Sequence, residues 1–111
     1  MFARSQRLKK SSDIARVYKR GNRAFSDHLK LHFLVNPRGG MRVAVVASKK
    51  LDKRAVVRNR AKRRVRELLK AELIGATYAG FDILVTIQAG IEDVSIDALR
   101  REVQKLVGRI R

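Results

Sequence analysis

Three observations predict an α+β fold, a single two-layer α-β sandwich built on a four-stranded sheet in the order α-β-β-β-α-β-α. Apolar residues recur at helical spacing in three separate stretches. Strand-like alternation or continuous apolar character marks the stretches between them. At 111 residues and 45% apolar content, the chain matches one domain, taken as residues 1–111, with enough apolar surface for one core. With one proline and seven glycines, it carries no linker or low-complexity tract.

The first helix is "SSDIARVYKRG", with Ile14, Val17 and Tyr18 on one side. Ser11 or Ser12 is expected as its N-cap and Gly21 as its stop. A short strand is expected around Arg23 to Asp27. "LKLHFLVN" then sets Leu29, Leu31, Phe33 and Val35 on one strand face and Lys30, His32 and Leu34 on the other. "NPRGG" is a turn by its chemistry. "MRVAVVAS" alternates through Met41, Val43, Val45 and Ala47, and this pair of strands is expected to form an antiparallel hairpin. "FDILVTIQ" is apolar on both faces, as a central strand is. The last helix is expected to start at Ser95, with Ile96, Leu99, Val103, Leu106 and Ile110 repeating at helical spacing.

The stretch "RAVVRNRAKRRVRELLK" between the third and fourth strands carries the functional signal. On a helical wheel, Ala61, Val65, Leu68 and Leu69 share one arc, and Asn59, Arg63, Arg66 and Lys70 share roughly the opposite one, flanked by Arg60 and Lys62. Arg58, Lys62 and Arg66 are like charges at i,i+4 spacing, each pair costing the isolated helix a few tenths of a kcal/mol, roughly. The basic run extends back through Lys49, Lys50, Lys53 and Arg54. A solvated helical face ordinarily mixes signs. This one is instead built for an anionic partner, and the whole chain agrees, with net charge +17 and a pI of about 11.5. Arginine outnumbers lysine here, and its fork suits phosphates and bases. Charge alone does not separate RNA from DNA. Asn59 interrupts the run, either to bond the local backbone near the helix start or to make a specific contact in a complex.

Other function classes lose support. Cysteine is absent, which removes disulfides, thiol nucleophiles and cysteine metal sites. The ten acidic residues fall into no ligand-spaced motif, and His28 and His32 show no evident acidic partner. His28 is left as a surface residue. A protein-borne nuclease site is therefore not expected. The N-terminus "MFARSQRLKK" lacks the apolar core of a signal peptide, and no run approaches the roughly 20 apolar residues of a membrane span, so a cytoplasmic protein without membrane contact is expected. No helix-turn-helix pair precedes the basic helix, so DNA is not the expected partner.

The spaced set Lys49-Lys50, Lys53-Arg54-Ala55, Arg58-Asn59-Arg60, Lys62-Arg63 and Arg66-Glu67 resembles the "RNR" signature of the bacterial ribonuclease P protein family. "RLKKSSDI..VYKRG", Arg7 to Gly21, resembles that family's N-terminal helix signature. The resemblance spans nearly the whole chain. It implies a left-handed β-α-β crossover and a protein subunit of a ribonucleoprotein endonuclease. In that enzyme the partner, ribonuclease P RNA, holds the active site and its Mg²⁺ ions, and the 5′ leader of precursor tRNA is removed. It also implies that Lys49, Lys50, Lys53, Arg54, Arg58, Asn59, Arg60, Lys62, Arg63 and Arg66 contact the catalytic RNA. The single-stranded leader would lie in a cleft at Ile14, Tyr18, Lys30 and His32. Of these only Tyr18 is a large ring. Tyr18 could instead be core, and His32 a solvent-facing strand residue. The competing expectation is a structural RNA-binding protein of ribosomal type with no part in catalysis.

Overall fold

The computed structural model describes residues 2, 4–37, 39–47, 51–73 and 80–110. Its elements are α1 (Ser11–Arg20), β1 (Asn22–Phe25), β2 (Leu29–Val35), β3 (Arg42–Val46), α2 (Ala55–Leu73), β4 (Phe81–Ile87) and α3 (Ile96–Val107), with short 3-10 turns at Arg4–Gln6 and Ile91–Asp93. The expected element order holds.

The strand order does not follow the expected hairpin. It is β1-β2-β4-β3, with β2 antiparallel to β1 and β4, and β3 parallel to β4. The reason lies in β4. Ile83 and Val85 are buried on one of its faces and Leu84 on the other, which suits the middle of the sheet, where helices cover both sides. It takes the seat between β2 and β3, and "NPRGG" spans the end of β4 instead of closing a two-strand turn. Asn36 holds that span. Its backbone N–H donates to the Gly80 carbonyl at 2.7 Å, and its side chain donates to Gly40 O at 2.9 Å and Asp82 Oδ1 at 2.8 Å. The parallel β3–β4 pair is joined through α2, as parallel neighbours require.

Strand alternation divides the sheet. Leu29, Leu31, Phe33, Val43, Ile83, Val85 and Ile87 face α2 and α3 and form the main core. From α2 it takes Ala61, Val65, Leu68, Leu69 and Leu73, and from α3 Leu99, Val103, Leu106 and Val107. Each fully buried large aliphatic side chain contributes roughly 1.5–3 kcal/mol. The first helix lies on the opposite face, over a smaller cluster of Leu8, Val17, Ala44 and Leu84. It covers only part of that face.

Three local expectations change. The N-cap of α1 is Lys10, which accepts Ile14 N–H at 3.0 Å, and no side chain caps the helix, so Ser11 is already helical. Gly21 does stop α1, by close approach: an added Cβ would sit 2.4 Å from Val17 O and 2.9 Å from Phe33 O. Val35 and Ile96 are exposed, Val35 at the end of its strand and Ile96 in the first turn of its helix. Ser95 caps α3 as expected, accepting Ala98 N–H at 3.1 Å.

Candidate nucleic-acid interface

Two basic surfaces occupy opposite faces of the sheet. The first is the outer face of α2. Burying Ala61, Val65, Leu68 and Leu69 turns Asn59, Arg60 and Arg63 outward into solvent, with Lys62, Arg66 and Lys70 half-buried along the flanks. Glu67 is the lone acidic residue on that exposed strip. Asn59 makes no side-chain hydrogen bond among the described residues, so the local-backbone alternative finds no partner for it. No acidic residue sits in the first turn of α2, so the positive end of the helix dipole adds to the arginine charge there.

The arginines before and within the first turn are partly occupied inside the protein. Arg54 pairs with Asp52 at 3.0 Å, and its backbone N–H donates to Asp52 Oδ1 at 2.8 Å. Hydrogen bonds from the Arg54 side chain and backbone hold the Asp52 carboxyl down to about 2. The Arg58 guanidinium donates to the carbonyls of Asp52 and Lys53, both at 2.8 Å. It therefore braces the entry to the helix. Lys53 is exposed beside it. Lys49 and Lys50 lie outside the described residues. Arg64 turns to the other side, donating to Val94 O at 3.1 Å.

The second surface is the uncovered part of the α1 side of the sheet. Strand register sets two cross-sheet rows there. Arg23, His32, Leu84 and Ala44 stand side by side, and so do Phe25, Lys30, Thr86 and Val46. A groove of about 400 Å³ runs between α1 and this face, lined by Ile14, Tyr18, Lys19, Val46, Leu84 and Thr86 among others. Ile14 is half-buried in its floor. Tyr18 is 56% exposed, so it is not core. His32 is not solvent-facing either. It is 3% exposed, because the Tyr18 ring lies over it with centroids 4.8 Å apart at 32°. Burial lowers the His32 pKa, and the nearby charges of Arg23 and Lys30 lower it further. Its imidazole is thus the neutral underside of the Tyr18 platform. Lys30 is half-buried and supplies the cation on this strand.

An ion-pair network fixes α1 against the sheet. Asp82, fully buried at the start of β4, accepts two bonds from Arg42, at 2.8 and 2.7 Å. Arg42 also reaches Asp13 of α1 at 3.3 Å, and Arg16 of α1 lies 3.6 Å from Asp82. The hydrogen bond to Asp82 raises the Arg42 pKa above its ordinary value. On the other side, Glu102 of α3 accepts from Ser26 Oγ at 2.6 Å and from the His28 backbone at 2.8 Å, and its other oxygen lies 2.7 Å from His28 Nδ1. Burial pushes Glu102 up, but the bonds from Ser26 and His28 outweigh it and leave its pKa lowered. His28 therefore has the acidic partner that spacing did not reveal, since 74 residues separate the two. Among the described residues, no three histidine or acidic side chains gather as a metal site would require.

Phe25 is an exposed ring on this same face that the sequence did not single out. The signal was present in β1, where Arg23 and Phe25 alternate onto the same face as Lys30 and His32.

Comparison with known proteins follows the same outline. The family model described as Ribonuclease P matches residues 2–111. The ribonuclease P protein component of Clostridioides difficile is 31% identical over 108 residues, covering 97% of this chain and 94% of the relative. The ribonuclease P protein of Thermotoga maritima superposes with a TM-score of 0.81 at 28% identity, covering 95% of this chain and 97% of that one. That of Staphylococcus aureus gives 0.80 at 26% identity, covering 95% and 96%.

Proposed function

This chain belongs to the ribonuclease P protein family and is a protein component of that ribonucleoprotein, and on that premise we propose how its two faces divide the work. The outer face of α2, with Asn59, Arg60, Lys62, Arg63 and Arg66, docks on ribonuclease P RNA. Lys49, Lys50, Lys53, Arg54 and Arg58 extend that contact toward the entry of the helix. The groove at Ile14, Tyr18, Lys30 and His32 holds the single-stranded 5′ leader of precursor tRNA. The observation that carries this reading is the placement of an arginine-rich strip and an aromatic, cationic groove on opposite faces of one sheet. A protein so built binds two RNA segments at once.

The chemistry follows from what the chain's own groups can do. The carboxylates of Asp13, Asp82, Asp52 and Glu102 are engaged by arginines, or by Ser26 and His28. Among the described residues they form no oxygen cage of the kind a resident Mg²⁺ takes. Mg²⁺ is bound mainly by the partner RNA, where the catalytic site lies. The protein's part is electrostatic and positional. Its cations reduce repulsion between two RNA backbones, and Tyr18, backed by neutral His32, offers a flat face for an unpaired base. Among the described residues, no helix is long and apolar enough to cross a membrane. With RNA partners, the protein works in the cytoplasm.

Reconstitution tests this. The chain is mixed with a bacterial ribonuclease P RNA and a precursor tRNA carrying a 5′ leader, at low millimolar Mg²⁺, with each component omitted in turn. Release of the leader that requires the RNA and is stimulated by the protein is expected. Tight RNA binding without stimulation would return the chain to a structural RNA-binding role.

A further inference from the structure

Beside the groove, on the same sheet face, stands a second exposed ring that the leader assignment leaves without a role. Phe25 closes β1 and is 56% exposed, as much as Tyr18. It stands on the same sheet face, in the row next to the one that holds His32, about 7 Å along the strand. Nothing in the core needs it there, and a Phe so exposed on an edge strand is a liability unless it has a partner. The Lys30 ammonium lies 5.9 Å from the ring centroid, and Arg23 shares the face. The ring itself lines a second groove with Arg101 and Lys105 of α3, where Asp27 is the exposed acid and Glu102 is engaged by Ser26 and His28. A flat apolar ring flanked by cations is what an unpaired nucleotide meets in single-strand binders: a face for the base and a charge for the phosphate. Meanwhile His32, covered by Tyr18, has no free face, and Ile14 has no ring.

We propose that Phe25, with Lys30 as its phosphate partner, is a second base-stacking platform for the single-stranded leader, met after Tyr18 as the strand runs toward α3. The proposal rests on the assignment of the groove to the leader. It makes leader affinity depend on length: a short leader reaches Tyr18 alone, and a longer one gains Phe25.

The test uses the reconstituted holoenzyme and precursor tRNAs of increasing leader length, with mature tRNA as reference. Binding constants are compared for wild type, Phe25→Ala, Phe25→Leu, Phe25→Trp and Tyr18→Ala. Phe25→Ala and Phe25→Leu should both lose roughly 5- to 150-fold in affinity, only for leaders beyond a threshold length. Phe25→Trp should retain it, and mature tRNA should bind all variants alike. Thermal midpoints should not move, since the side chain is exposed. Unchanged affinity at every length for Phe25→Ala, alongside a leader-dependent loss for Tyr18→Ala, would overturn the Phe25 platform and leave the groove assignment standing. So would a Phe25→Leu protein that binds like wild type, since apolar contact without a ring would then suffice. Loss that is equal for precursor and mature tRNA, or a change in oligomeric state, would make Phe25 a structural or self-association residue. If Tyr18→Ala shows no leader dependence either, the groove assignment itself fails.

Discussion

At Tyr18 and His32, two residues expected to act alike play different parts. Both were placed at the cleft by resemblance, but one ring lies on the other, so Tyr18 offers the free face and His32 sets its height and keeps it uncharged. That outcome was not legible in the sequence, because burial of His32 depends on the angle at which α1 crosses β2. The pKa shift gives the pair a measurable consequence. The folded His32 titrates below the ordinary 6.5, so between those two values the unfolded chain binds the proton that the folded chain refuses. Its stabilising contribution is complete above pH 6.5 and declines as pH falls below it. The urea midpoint should therefore drop on acidification from pH 7.5 to 5.5, and the drop should be smaller in His32→Phe. An identical pH slope in the two proteins would mean that His32 does not titrate differently on folding. Arg58 carries a similar lesson. The i,i+4 spacing lines it up with Lys62 and Arg66, yet its guanidinium is committed to two backbone carbonyls that precede α2.

Among the elements, what could be read locally held. The buried arc of α2, the alternation of β2, the cap of α3 and the central character of β4 are all properties of a single segment's own residues. The pairing order was not local. Whether β3 lies beside β2 or beside β4 is a competition among distant segments, and the two-sided apolar face of β4 decides it. Asp82 is a charged residue buried in an otherwise largely apolar strand. It is the anchor to which Arg42 of β3, Arg16 of α1 and Asn36 of the connecting span all turn. Removing one partner of a buried pair strands the other charge, which costs about 3–5 kcal/mol. Asp82→Ala should lose stability by that amount in urea unfolding, and the double variant Asp82→Leu with Arg42→Met should recover much of it. A loss under about 1 kcal/mol for the single variant would show the network to be dispensable.

For the molecule as a whole, the question is where a net charge of +17 goes. The acids whose partners are described are spent mostly on internal pairs, so the excess appears on two surfaces separated by the thickness of a sheet. The longest dimension of the fold is 37 Å, so any RNA on α2 and any RNA in the groove are held within that span of each other. The charge was fully legible in composition and its first surface in the spacing of one helix. The second surface was only partly legible, because its groove is made by α1, β3 and β4 together, and Phe25 joins the same face only through strand register. If the two faces bind different RNAs, they can be weakened separately. The most direct measurement compares Arg60→Ala, Arg63→Ala and Tyr18→Ala in parallel, by the salt dependence of catalytic-RNA binding and by the ratio of precursor to mature tRNA affinity in the holoenzyme. Each arginine variant should lower the salt slope by about one unit and leave the tRNA ratio alone. Tyr18→Ala should leave the slope alone and reduce the ratio by roughly the 1–3 kcal/mol of one stacked base. Arginine and tyrosine variants that alter both quantities together would contradict that separation and point to a single, shared RNA surface.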